Sequence, residues 1–197
     1  PQGYQGGRTD KWGFDDGTRA LPKGLSLDLP GTGKALQAFK NIHNVNTVED
    51  DTLPSFNFSF GDTFKFGKTK ESYLFSLLYS DDWNQAKENQ NQYLSSGVLQ
   101  SNSEKNKNIR TVRLGGLGGL GFSLGKTHKL NTNYLWVRHS SDQTEQASGS
   151  TSEKLLVRDT TLEWTERELR ALNIHGSHYL PFVSSFKLDW HHAQSKA

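Results

Sequence analysis

The chain has 197 residues and a formal net charge of +2, and its 23 basic residues are scattered along the sequence. A near-balanced charge with no basic stripe disfavours nucleic acid as a partner, and the absence of cysteine excludes disulfides, thiolate metal sites and cysteine catalysis. Only 32% of the residues are hydrophobic, and no apolar run approaches the roughly 20 residues that a membrane-spanning helix requires. Alternating β-strands dilute this signal, so the composition is compatible with a membrane β-barrel.

The first 50 residues show no sustained hydrophobic periodicity and are rich in Gly and Pro, which is typical of loops. One short helix is predicted over Lys34–Asn44. Within Trp12–Pro22, the Asp-Asp-Gly run predicts a turn, and a nearby arginine is placed to pair with a carboxylate. Two interpretations stay open, a rigid loop held by an Asp–Arg contact and a loop that faces a ligand. The candidate ligand-binding residues are Trp12, Asp15, Asp16 and Arg19.

Ser55–Trp83 predicts a β-hairpin around which the chain is organised. Phe56, Phe58 and Phe60 alternate with small or polar residues, which indicates a strand with one apolar face. The returning strand, Tyr73–Ser80, is apolar at nearly every position. The four residues 67–70 between the strands predict a compact turn.

The middle of the chain repeats this hairpin pattern. Asn84–Arg110 is polar throughout and is predicted to be a long loop with little to bury. Thr111–Leu124 predicts a strand whose five glycines let the sheet bend or another segment approach closely. A second four-residue turn leads into the strand predicted over Lys129–Ser140, and Ser141–Glu153 is predicted to be another polar loop. One short and one long end per hairpin is typical of outer-membrane barrels.

The last third of the chain predicts a long strand, a turn and a return strand. Leu155–Leu180 is several times longer than an ordinary strand. Glu163–Leu172 is rich in helix formers, but no cap or stop signal bounds a helix and both flanks are strand-like, so a strand is preferred. Residues 181–184 are predicted as the third turn and Ser185–Ala193 as the return strand.

Several glycine motifs resemble phosphate-binding sequences but lack the required context. Gly116–Gly121 has the spacing of a dinucleotide fingerprint, yet a strand and a turn follow it instead of a helix. The Gly-Lys-Thr runs that begin at Gly67 and Gly125 lack the glycine that a phosphate-binding loop carries five residues upstream. The sequence therefore predicts no cofactor.

The histidine and glutamate patterns also predict no catalytic or metal site. His175 and His178 lie on opposite faces of a strand, as do the adjacent His191 and His192, so hydrogen-bonded or solvated imidazoles are expected instead of zinc ligands. The glutamates between residues 163 and 168 lack a cleft that would make them a glycosidase pair. The chain is therefore predicted not to be an enzyme.

Six segments together resemble the TonB-dependent outer-membrane receptors, in particular the large Bacteroidetes-type members. These segments are GFDDGTRALP, SFNFSFGDTFKFG, YLFSLLYSDDW, LGFSLGKTHKL, LEWTERELRALNIHGSHYL and FKLDW. The most specific matches are Asp15–Pro22 and the W-x-E-R-x-L run that starts at Trp164, with the later Gly176-x-His178. The resemblance covers most of the chain from about Trp12 onward.

The resemblance implies an all-β fold, an antiparallel meander of about six long strands that forms part of a large transmembrane β-barrel. Barrels of this family have about 22 strands around a plug domain, and the resemblance implies that this chain covers an early part of the barrel without the plug. Residues 1–54 would be an extracellular-loop-like segment at the start of the barrel, and residues 55–197 would be barrel strands with short periplasmic turns and long extracellular loops. Transport of a ligand by the whole receptor would be binding and gating, and the ligand classes of the family include siderophores, vitamins, glycans and peptides.

The implied location is the bacterial cell outer membrane. The implied partners are a periplasmic energy-coupling protein of the TonB type, which acts on the full-length parent, and the lipid and lipopolysaccharide of the membrane. The chain contains no methionine and starts with Pro1, so we expect an internal piece of a longer polypeptide that does not form a stable soluble monomer. Two alternatives stay open, a soluble all-β carbohydrate-binding module and an all-β hydrolase.

Overall fold

The protein is all-β, as the sequence predicts. The computed structural model describes residues 9–20, 45, 53–150, 153, 155–182 and 186–197. One short 3₁₀ turn, Asp10–Trp12, precedes six strands that follow one another in a single meander sheet. The strands are β1 (Phe56–Phe66), β2 (Thr69–Tyr93), β3 (Leu99–Leu124), β4 (His128–Ser150), β5 (Leu156–Leu180) and β6 (Phe186–Lys196).

The four inner strands are unusually long, at 23 to 26 residues each, against about 5–6 in a typical strand. The turn between β1 and β2 is shorter than predicted, because Thr69 and Lys70 already pair with Phe66 and Lys65. Only two residues remain, and Gly67 has a φ of 59°, as tight hairpin turns require. Gly125 has the same role between β3 and β4, with a φ of 58°.

The two predicted polar loops are wrong where the structure describes them. Most of residues 84–110 continue β2 and β3, and the chain reverses over residues 94–98, where the Leu94 amide donates to the Val98 carbonyl at 2.8 Å. Residues 141–150 likewise belong to β4. The physical reason is that the apolar part of each strand fixes its register. The backbone hydrogen bonds with the neighbouring strand then continue into the polar part. Low hydrophobicity removes side-chain packing but not this backbone pairing.

Strand β5 resolves the choice between strand and helix at Glu163–Leu172. These residues are all extended, and β5 pairs with β6 in antiparallel register from Arg170 opposite Lys196 to Leu180 opposite Phe186. The prediction of a strand is therefore confirmed, and β6 continues three residues beyond its predicted end. The helix predicted over Lys34–Asn44 lies outside the described residues, as does part of the third turn.

The chain divides into two compact units. One unit contains Pro1–Thr52, Asp82–Thr111 and Ser141–Thr165, and the other contains Leu53–Asp81, Val112–Ser140 and Glu166–Ala197. In the second unit, the register places Phe56, Phe58 and Phe60 opposite Tyr79, Leu77 and Phe75, so these side chains share one face. Phe58 is 54% exposed, and the face is therefore aromatic but largely uncovered. Among the described residues, no helix has the length and apolar character needed to cross a membrane.

Candidate functional site

The loop of residues 9–20, in the first unit, contains all four predicted site residues. Its first half is a 3₁₀ turn that Gly13 ends in the left-handed region, with a φ of 74°, and the Gly13 amide donates to the Asp10 carbonyl at 2.9 Å. In its second half, the Thr18 amide donates to Asp16 Oδ1 at 2.8 Å, and Gly17 has a φ of 79°. An Asx-type hydrogen bond followed by a glycine is what a tight turn requires, so the turn predicted from Asp-Asp-Gly is confirmed.

Arg19 is the centre of this loop. Its Nη1 donates to Asp15 Oδ1 at 2.9 Å, and its Nη2 lies 2.7 Å from Asp10 Oδ2. Its guanidinium carbon lies 4.1 Å from the ring centroid of Trp164, a cation–π distance. The planar guanidinium thus fixes two carboxylates and one indole at once. The predicted Asp–Arg contact is confirmed.

Sequence reasoning missed Asp10 and Trp164. Asp10 lies outside the Asp-Asp-Gly motif, and the only sequence feature that could have pointed to it is its position close to Trp12. Trp164 is far away in sequence and belongs to β5, so no local pattern connects it with Arg19. Trp12, a predicted site residue, lies on the same 3₁₀ turn as Asp10 and is 46% exposed. The loop therefore combines a rigid ion-paired base with an accessible indole.

Asp10 is the buried acid of the loop, with only 4% of its side chain exposed. Burial raises the pKa of its carboxyl, and the hydrogen bond and charge of Arg19 oppose this effect only in part. Asp15 and Asp16 add to the increase through their negative charges. One carboxylate oxygen from each of these three aspartates lies within 4.8 Å of the other two. The loop therefore concentrates negative charge at one point.

The second unit has a separate depression of about 640 Å³ over β1 to β4. Its lining includes three glycines and the amides of Asn131 and Asn133. A Cβ on Gly119 would lie 2.8 Å from Asn133 Oδ1, and a Cβ on Gly121 would collide with the Ser72 hydroxyl. The glycines of β3 therefore leave room for polar side chains of neighbouring strands, in agreement with the close approach expected from the sequence. The surface offers hydrogen-bonding groups from Ser72, Asn131 and Asn133.

Two of the histidines, His128 and His178, form a hydrogen-bonded chain with Trp190. Trp190 Nε1 donates to His178 Nε2 at 3.0 Å, and His178 Nδ1 lies 3.1 Å from His128 Nδ1. Since Nε2 of His178 accepts a hydrogen bond from Trp190, a neutral His178 carries its proton on Nδ1. It then donates a hydrogen bond from Nδ1 to Nδ1 of His128. The expectation of a hydrogen-bonded imidazole is thus confirmed for His178, and its partner is on β4.

Two positions of the W-x-E-R-x-L run, Trp164 and Glu166, make side-chain contacts with residues far away in the sequence. Trp164 stacks on Arg19, and Glu166 forms an ion pair with Arg138. Arg138 also donates to Glu168 at 3.1 Å. Structural contacts therefore account for these residues of the run: Trp164 packs against Arg19 of the loop, and the glutamates pair with Arg138 of β4. None of these contacts requires a substrate.

The comparisons with known proteins give no relative. No protein-family model, curated protein or solved structure matches the chain. The function proposed below therefore depends on the geometry of the sheet and of the loop, with the resemblance described above as an expectation beside it.

Proposed function

We propose that this chain is a segment of an outer-membrane TonB-dependent receptor that imports a ligand such as a siderophore, vitamin, glycan or peptide. The observation that carries the proposal is the hairpin sheet of strands with 23 to 26 residues. A transmembrane strand needs about 9–11 residues to cross the hydrocarbon core. Strands of this length would cross it and continue well beyond it.

The chemistry of the two sheet faces in the second unit supports this proposal. One face carries the phenylalanines of β1 with Phe75 and Leu77 of β2, an apolar surface suited to lipid. The register puts Asn57, Ser59 and Thr63 on the other face, where a receptor would have its polar lumen. In water, so large an exposed aromatic face would favour association of molecules. In lipid the same face would be solvated.

The sheet order supports a larger assembly of strands. β1 and β6 are at the two ends of the order, and in lipid an edge strand needs a partner for every backbone amide. Further strands of a receptor barrel would provide those partners. Transport would then belong to the full-length parent, acting with its TonB-type coupling protein, and this segment alone would transport nothing.

Within the receptor, the loop of residues 9–20 would contact the ligand. Trp12 offers an exposed indole, and Asp15, Asp16 and Arg19 offer charges on a base that ion pairs hold in place. Pre-organised aromatic and charged groups bind ligands with little loss of conformational freedom. The ligand class itself stays open among those named above.

Cysteine labelling of the protein in its native membrane tests the proposal. Because the chain contains no cysteine, Asn57→Cys and Phe58→Cys would each place one thiol on opposite faces of β1. A membrane-impermeant maleimide should label Asn57→Cys from water and leave Phe58→Cys unlabelled until detergent is added. The protein should also fractionate with the outer membrane.

The alternatives predict a different labelling pattern. A soluble carbohydrate-binding module would remain in the aqueous fraction, and its aromatic face would be labelled without detergent. Equal labelling of both positions in a monomeric, detergent-free protein would contradict the receptor proposal and favour that module. Turnover of a substrate by such a monomer would instead favour an all-β hydrolase.

A further inference from the structure

We propose that the depression over β1 to β4 binds an extended, uncharged segment of polypeptide through the main-chain amides of that segment. All residues that line the depression belong to the second unit. The proposal rests on the receptor proposal for one point only, that a peptide bound here is an imported ligand. It then singles out peptides among the ligand classes named above.

Two glycines of β3 leave room for another backbone. Gly119 and Gly121 line the depression and are two residues apart, so they lie on the same face of β3. Strands β2 and β4 are the neighbours of β3, and the side chains of these two strands therefore start about 9–10 Å apart across it. Glycine inside a strand is typical of a place where a second backbone approaches closely.

Polar groups from both neighbouring strands reach over these glycines. The Ser72 hydroxyl, on β2, occupies the place that a Cβ on Gly121 would take, and it donates a hydrogen bond to the Gly121 carbonyl at 3.5 Å. From β4, Asn131 Oδ1 lies 3.0 Å from the same place. Asn133 Oδ1 lies 2.8 Å from the place of a Cβ on Gly119. The two glycines thus let one hydroxyl and two amides converge over β3.

The spacing of the two side-chain amides matches the repeat of an extended polypeptide. Asn131 and Asn133 are exposed and lie on one face of β4, about 6.4–6.8 Å apart along the strand. An extended chain presents the N–H and C=O of every second residue along the same edge, with the same repeat. Because a side-chain amide contains both a donor and an acceptor, each asparagine can pair with one main-chain N–H and one C=O.

The charge of the lining favours an uncharged ligand. Asp62 is the one charged residue among the described lining residues, and its Oδ1 already accepts the Thr63 amide at 2.6 Å. An anionic ligand would therefore meet no cationic partner there. A saccharide is also uncharged, but its hydroxyl groups lie on adjacent ring carbons and do not repeat with every second residue of a strand. The arrangement therefore favours a peptide main chain.

Peptide titration of the full 197-residue chain in detergent micelles tests the proposal. The probe is an acetylated and amidated pentapeptide of alternating alanine and serine. Nuclear magnetic resonance of ¹⁵N-asparagine-labelled protein should show saturable shifts of the side-chain amide signals of Asn131 and Asn133, with a Kd on the order of 10⁻³ M, since only a few hydrogen bonds of modest net strength form. The same peptide with N-methylated main-chain nitrogens cannot donate these bonds and should bind about tenfold more weakly.

Matched variants identify the contacts within the depression. Asn133→Leu keeps a side chain of similar size but removes its amide, so the Kd for the pentapeptide should rise about two- to tenfold. Asn57→Leu is the control, because Asn57 lies on the polar face of β1 and is not among the residues that line the depression. Its affinity should equal that of the wild type.

Three results would overturn the proposal. The first is equal binding of the pentapeptide and its N-methylated form, which would exclude main-chain recognition. The second is an Asn133→Leu chain that binds the peptide as tightly as the Asn57→Leu chain. The third is saturable binding of maltopentaose without binding of the peptide, which would assign the depression to saccharides. None of these results changes the cysteine-labelling pattern, so failure of this proposal and failure of the receptor proposal are distinguishable.

Discussion

At the scale of single residues, Arg19 has the most consequential contacts in the described part of the first loop. It forms ion pairs with two aspartates and a cation–π contact with Trp164. Arginine can do this because its donors form a flat fork whose face remains available for stacking, whereas lysine has a single point charge. For the described part of this stretch, residues 12–20, the interpretation as a rigid loop is therefore supported. A ligand-facing role is compatible with it, because rigidity and exposure of Trp12 occur together.

Replacement of Arg19 by lysine tests this view of the loop. Arg19→Lys keeps the charge but loses the second ion pair and the stacking, which should weaken the folded loop by about 1–3 kcal/mol. Hydrogen exchange should report the change as faster exchange of the Thr18 amide. The control is Arg158→Lys, at an exposed position of β5. Unchanged protection of Thr18 in Arg19→Lys would show that the fork geometry is dispensable.

At the scale of elements, Trp190 explains why β5 carries the Gly176-x-His178 pattern. The register puts Trp190 directly opposite Gly176, and a Cβ on Gly176 would collide with the indole ring. The indole then reaches His178, to which it donates a hydrogen bond at 3.0 Å. Gly176 and His178 of β5 thus together form a packing site, here called the Trp190 socket, for the indole of Trp190 on β6. A match to a receptor motif here has a packing reason of its own.

An alanine pair tests the socket. Gly176→Ala should destabilise the β5–β6 hairpin by about 1–3 kcal/mol, the usual cost of overpacking, and should shift Trp190 fluorescence. Gly118→Ala is the matched control on β3, because a Cβ there meets nothing within 4 Å. Chemical denaturation in micelles measures both. Equal stability of the two variants would mean that Trp190 can move aside without cost.

At the scale of the whole molecule, the arrangement of polar and apolar residues determines which solvent suits the sheet. Among the described residues, only Tyr79 and Val112 are buried hydrophobic side chains. The phenylalanines of β1 instead remain 43–68% exposed, on a face that includes Phe58 and Phe64. A sheet with so little buried apolar side-chain surface gains little folding free energy from the hydrophobic effect. It would gain more if lipid or further strands covered this face.

Arginine substitutions on the two faces of β1 test that conclusion. Phe58→Arg should reduce the stability of the protein in lipid bilayers by about 2–4 kcal/mol if the residue lies near the bilayer midplane, because a charge there must leave water. Asn57→Arg, on the opposite face, should have an effect near zero. Unfolding from liposomes at increasing denaturant concentration gives both values. The reverse order of effects would assign Asn57 to lipid and contradict the proposed orientation.

The fold was predictable from the sequence where alternation is strong. Phe56, Phe58 and Phe60 have period 2, and this pattern indicated both the strand and its face before any long-range contact was known. The turns at Gly67 and Gly125 were equally accessible, because a glycine in a short polar run between two alternating segments is typical of a tight hairpin. The extent of β2, β3 and β4 was not predictable. Their outer parts are polar, and the backbone pairing that extends them leaves no hydrophobic signal.

The sequence predicted only those contacts of the candidate site whose residues are close together in the chain. The turn from Asp15 to Arg19 and the pairing of Arg19 with a carboxylate follow from residues within one turn of chain, where short-range geometry leaves few choices. The contacts of Asp10 and Trp164 with Arg19 and the His128–His178–Trp190 chain required the tertiary structure, because no local sequence pattern connects these residues. The sequence by itself therefore determined an all-β meander with one aromatic face and an Asp–Arg loop. Tertiary structure alone decided where the strands end, what Arg19 stacks on and which carboxylates meet, since each of these depends on residues that only the folded chain brings together.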